Sequence, residues 1–90
     1  MKALMIRVEP EDFDSWLQAH RAAGPARLAF GISDGPIYRD LDDVGVCLVQ
    51  LQVDDLERAM SWFSSDAFRA ASRGVALKGP RQLWVAEAAD

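Results

Sequence analysis

Three stretches of the chain alternate between apolar and polar positions, and two others repeat at helical spacing. From Lys2 to Val8, the side chains of Leu4, Ile6 and Val8 point one way and those of Ala3, Met5 and Arg7 the other, the period of a strand. Val46 to Val53 behaves likewise. Cys47, Val49, Leu51 and Val53 form an apolar face, and Val46, Leu48, Gln50 and Gln52 form the other. Gln82 to Glu87 is read as a last strand after the break at Gly79-Pro80. Between the first two strands, Phe13, Trp16, Leu17 and His20 recur three and four residues apart and make one helical stripe. Pro10 suits the first turn of that helix, with Glu11, Asp12 and Asp14 complementing its positive end, and Gly24-Pro25 is expected to end it.

Arg27 to Ser33 reads as extended. Asp34-Gly35-Pro36 resembles a hairpin turn but is better taken as a bulge within one long strand that continues through Ile37-Tyr38-Arg39. The hairpin then falls at Leu41 to Gly45, where turn residues cluster. Asp54-x-x-Glu57 has the form of a capping box, which predicts a helix from Asp55 with Leu56, Ala59, Met60 and Phe63 inward. Ser65 is placed to cap a further segment, Asp66 to Arg73, that stops at Gly74. Val75 to Leu77 is expected to be briefly extended and the last three residues to fray. The order β-α-β-β-α-β predicts an α+β, ferredoxin-like sandwich with an antiparallel sheet and one domain over residues 1–90.

The two sheet faces differ. Leu4, Ile6, Val8, Cys47, Val49, Leu51, Val53, Leu83 and Val85 are expected beneath the helices. The opposite face, with Met5, Arg7, Leu48, Gln50, Gln52, Trp84 and Ala86, is too apolar for solvent and too polar for a core. A homodimer that packs two such faces together is the expected solution.

Composition narrows the function. The net charge is −4, and the ten Lys and Arg residues are scattered singly, a poor match to a phosphate backbone, so no nucleic-acid partner is expected. No apolar run reaches membrane-spanning length and nothing has the form of a signal peptide, so the expected location is the cytoplasm. A single cysteine, Cys47, excludes an internal disulfide and a multi-cysteine metal site, and its mid-strand position makes it a small buried hydrophobe. There is no phosphate loop and no nucleophile elbow.

The candidate chemistry centres on the first helix. His20, the only histidine, lies one turn from Trp16 on an apolar stripe, where a group that titrates near neutrality could exchange a proton with a ligand. Phe13, Trp16 and Trp62 could flank a flat aromatic molecule, although such residues more commonly pack a core. Tyr38, the only tyrosine, could offer a phenol, or could stand as a strand aromatic with its hydroxyl at the rim. Arg39 and Asp40 are expected to pair on the surface, and Asp42 and Asp43 to set the turn.

Gly35 to Asp43, reading Gly-Pro-Ile-Tyr-Arg-Asp-Leu-Asp-Asp, is the most specific part of a wider likeness. Gly31 to Asp43, the alternating strand, Asp54 to Ala59, Phe63 to Arg69, and Gly74-Val75 followed by Gly79-Pro80 share in it. Together they resemble the dimeric α+β barrel superfamily, and within it small proteins grouped with antibiotic biosynthesis monooxygenases and polyketide cyclases. The resemblance implies a homodimer acting on, or binding, an aromatic or polyketide-like molecule, with His20 and Tyr38 catalytic and Trp16, Phe13 and Trp62 in substrate contact. With no multi-ligand spacing in the chain, no metal and no bound cofactor is expected. Oxygenating members commonly use an Asn, and this chain has none. Cyclisation or another proton transfer is therefore expected ahead of monooxygenase-like oxygenation. A non-catalytic binding or dimerisation module is the rival expectation.

Overall fold

The structure is a computed structural model, described here for residues 1–89. Strand β1 spans Lys2–Val8, helix α1 Phe13–Ala22, helix α2 Gly24–Ala29 and strand β2 Ile32–Arg39. Strand β3 follows at Cys47–Val53, helix α3 at Leu56–Ser61, a 3₁₀ turn at Trp62–Ser64, helix α4 at Asp66–Ser72 and strand β4 at Gln82–Glu87. The strands form one sheet in the order β2-β3-β1-β4, and every neighbouring pair is antiparallel. Two antiparallel-sheet halves, each with its own helical crossover, give the α+β ferredoxin-like sandwich that the order of elements predicts.

The core forms where the alternation says it should. Leu4, Ile6 and Val8 of β1 and Cys47, Val49, Leu51 and Val53 of β3 are buried against Trp16, Ala59 and Trp62 of the helical layer. Burying each large aliphatic side chain contributes about 1.5–3 kcal/mol. Edge strand β4 departs from the expectation. Leu83 is only partly covered and Val85 is 47% exposed, because the helices do not reach that end of the sheet.

Several local expectations need correction. Pro10 is outside α1, in an isolated bridge to Leu77, and Asp12 is the cap, its carboxylate accepting from the Ser15 amide at 3.2 Å. Gly24-Pro25 does not release the chain into a strand. It starts α2, with the proline in the first turn, so Arg27 is helical rather than extended. In α3 the cap is Asp55, one residue later than the capping-box spacing indicates, and its carboxylate accepts from the Arg58 amide. Met60 faces out. The tighter 3₁₀ turn that follows rotates Trp62 inward instead. Arg39 does not pair with Asp40; its guanidinium sits 4.0 Å over the Phe13 ring, while Asp40 accepts from the amides of Asp42 and Asp43.

Other expectations hold. Ser65 caps α4 by accepting from the Phe68 amide at 3.1 Å, and Gly74, at φ 81°, takes the left-handed conformation beyond the end of that helix. Strand β2 runs unbroken from Ile32 to Arg39, with a register shift between Asp34 and Ile37. Cys47 is fully buried, and burial pushes its thiol pKa up. Near the C-terminus the Ala88 amide donates to the Met1 carbonyl, so the expected fraying does not include Ala88; Asp90 lies outside the described residues.

Candidate functional site

A cavity of about 230 Å³ lies between the helical layer and the buried sheet face. Ile6, Val8, Val49 and Leu51 form its floor, Trp16 and His20 one wall, and Trp62, Phe63 and Phe68 another. The chain builds the first wall with one helical turn. Trp16 and His20 are four residues apart on α1, and their rings stack at 5.1 Å between centroids with 17° between planes. Trp62 packs edge-on against Phe30 at 5.4 Å and against Phe68 at 5.6 Å, which holds the second wall rigid.

His20 is the polar side chain of the first wall. Its Nε2 is buried and has no hydrogen-bond partner. Leaving such an atom unpaired costs about 1–3 kcal/mol. The imidazole pKa is pushed down from 6.5 to about 4, first by burial and then by the Arg27 charge, with Asp34 opposing. The ring is therefore neutral near neutral pH. It can accept a proton or a hydrogen bond, and forming the imidazolium there is costly.

Behind His20 lies an ion pair that the sequence reading does not anticipate. Arg27, only 4% exposed, directs Nε and Nη2 to the two carboxylate oxygens of Asp34 at 2.9 and 3.0 Å. Nη2 also donates to the His20 carbonyl at 2.5 Å. The guanidinium holds the Asp34 carboxyl below the usual carboxylate range. This bidentate contact ties α2 to β2 and the end of α1, so it positions the backbone that carries His20. A charged residue in an otherwise apolar helix, followed seven residues later by an acid before a bulge, was the available signal.

The predicted site residues divide into two groups. His20, Trp16 and Trp62 line the cavity. Phe13 stands behind Trp16, with ring centroids 6.0 Å apart, and is not part of the lining. Tyr38 pairs in register with Leu48 on the outer sheet face and is 54% exposed. Within one chain the structure does not bring Tyr38 to His20. Ser72 and Arg81 line the cavity and were not singled out in the sequence. Among the described residues, no three His, Cys, Asp or Glu side chains cluster in a way that could hold a metal ion.

No protein-family model matches the chain, and no curated protein does. Solved structures do match. A Bordetella bronchiseptica protein, provisionally named an antibiotic biosynthesis monooxygenase, superposes with a TM-score of 0.84 at 11% identity, over 97% of this chain and 95% of that one. A Caulobacter crescentus protein with the same provisional name gives 0.74 at 14% identity, over 99% and 90%. One from Nitrosomonas europaea, again so named, gives 0.71 at 11% identity over the whole of both chains. The chain has the fold of these proteins. At such identities the likeness carries the architecture and leaves the chemistry to this chain's own residues. No helix of the described residues is long and apolar enough to cross a membrane.

Proposed function

We propose that this protein binds a small planar aromatic molecule in the cavity between sheet and helices, without a bound cofactor, and that His20 is its proton-exchanging group. The observation that carries this reading is the stacked Trp16–His20 pair with an orphaned Nε2 in a cavity lined mainly by apolar side chains. A ligand hydroxyl at Nε2 would relieve the unpaired atom, and an aromatic ring would replace water against the indoles. The volume of about 230 Å³ lies below the roughly 300–1,000 Å³ of typical ligand sites, which favours a molecule of one or two rings over a polycyclic one.

Proton transfer, as in a cyclase, fits these residues better than monooxygenation, for which the family-type Asn is missing. A binding module without catalysis is the second reading. It is favoured by the position of Tyr38, which leaves His20 without the second proton-transfer group expected beside it. In either case the working unit is a homodimer formed through the outer sheet face, where Met5, Tyr38, Leu48 and Trp84 are exposed.

Naphthol titrated into the protein should quench tryptophan fluorescence saturably, and Trp16→Phe should weaken the quenching. A linear, unsaturable response would remove the cavity reading.

A further inference from the structure

The charge around the cavity is one-sided. Its charged lining residues are Arg27 and Arg81, and no carboxylate lines it. Arg27 is compensated by Asp34. Arg81 is not: among the described residues, no carboxylate oxygen lies within ion-pair distance of it. Its guanidinium carbon rests 4.8 Å from the Phe68 ring centroid and 5.0 Å from that of Phe63. A guanidinium stacked on aromatic faces keeps its edge N–H groups free, and that edge matches a carboxylate bidentately. An uncompensated cation at an apolar cavity, in a chain of net charge −4, is a selective feature rather than a general basic surface.

His20 adds the second constraint. A neutral imidazole carries one N–H, and no protein group bonds Nε2 to fix whether that atom carries it. A carbonyl satisfies Nε2 only when that atom is protonated, and an ammonium only when it is bare. A hydroxyl donates or accepts and satisfies both.

We propose that the cavity selects a small aromatic hydroxy acid, with its hydroxyl on His20 Nε2, its ring against Trp16 and Trp62, and its carboxylate on Arg81. This rests on the reading of the cavity as an aromatic-binding site. A carboxylate is matched by the uncompensated guanidinium of Arg81, whereas a phosphate, with about 1.5–2 negative charges, would keep part of its charge unpaired beside apolar walls.

Calorimetric titration with three probes tests the assignment: hydroxynaphthoate, naphthol and naphthoate. Hydroxynaphthoate should bind about tenfold or more tightly than either of the others, the value of one hydrogen bond to a charged or orphaned group. Arg81→Gln should bring hydroxynaphthoate down to the affinity of naphthol. His20→Phe, which keeps a ring stacked on Trp16, should bring it down to that of naphthoate. Arg81 is exposed, so its replacement does not put folding at stake. If naphthol binds the wild-type protein as tightly as hydroxynaphthoate, the acid selection is wrong and the aromatic cavity stands. If naphthoate does so, the hydroxyl assignment to His20 is wrong. If none of the three binds, the cavity reading and the ligand class fall together.

Discussion

His20 shows how far one side chain's surroundings reset its chemistry. The free imidazole titrates at 6.5, and here burial and the Arg27 guanidinium bring it to about 4. Arg21 on the same helix acts in the same direction, and Asp34, on β2, opposes. Above pH 6.5 the ring is neutral in the folded and unfolded chain alike and has no effect on their balance. Between about 6.5 and about 4 the unfolded chain binds a proton that the native chain refuses, so stability falls as pH falls. Below about 4 the native ring protonates too and the loss levels off. The slope is bounded by about 1.4 kcal/mol per pH unit for one proton, and lies below that bound because the ring is only half-buried and water screens it. Asp34 has the opposite character. Its lowered pKa gives stability above the ordinary carboxylate range that disappears only at more acid pH, outside this window. Urea unfolding at a series of pH values should therefore show the wild-type protein losing stability relative to His20→Phe as the pH drops from neutral towards 4. Parallel curves for the two proteins would mean that the imidazole is solvated in the native state.

At the scale of the elements, the bulge in β2 decides which of its residues face the helices. Before it, Ile32 and Asp34 face the helices, opposite Val53 and Leu51. After it, Ile37 and Arg39 take that side, and Arg39 reaches the Phe13 ring. One inserted residue inverts the parity of the strand, so Tyr38 turns outward with Leu48. The bulge needs Gly35. A Cβ there would stand 2.4 Å from the Gln50 carbonyl oxygen and 3.2 Å from its carbon, both backbone atoms that cannot swing aside. Gly35→Ala should accordingly cost about 1–3 kcal/mol, read as a lower urea midpoint. An unchanged midpoint would show that β2 does not approach β3 this closely. The bulge was legible in Asp34-Gly35-Pro36, but its effect on Tyr38 requires the register on both sides of it, which one strand's letters do not contain. The same limit separates the other elements. Strands β1 and β3 are legible because their period is written in contiguous residues, and α4 because Ser65 and Gly74 mark its ends. Helix α2 is not, because Gly-Pro can close one helix or open the next and the choice depends on Arg27 finding Asp34. Trp16 and His20 were legible as a pair through their spacing on one helix; the cavity beside them comes from how α1 and α4 settle on the sheet, which no local period records.

The whole molecule is two layers thick, and only one side of its sheet is covered. The molecule measures 32 × 31 × 19 Å, so a broad face has room for the roughly 800 Å² per partner that a stable interface buries. The uncovered face has Met5 in register with Gln50 on one side and Trp84 on the other, and Leu48 in register with Arg7 and Tyr38. Trp84 is 52% exposed, Leu48 39% and Met5 36%, and Gln50 and Gln52 lie among them with side-chain amides that can donate and accept across a twofold axis. Such a surface is self-complementary in the way an isologous dimer requires: apolar centres to desolvate, and polar groups able to bond to their own copies. The cavity lies on the other side of the sheet, so a dimer formed through this face would leave it unblocked. Light scattering after size exclusion should give twice the chain mass at micromolar concentration. Trp84→Asp should shift it towards the monomer, because the new carboxylate would be buried in the interface without a partner. Its circular dichroism should stay close to that of the wild type, since Trp84 contributes nothing to the buried core. A monomer mass for the wild-type protein would mean that this face is solvated as it stands, and a Trp84→Asp variant that stays dimeric would move the interface elsewhere on the molecule.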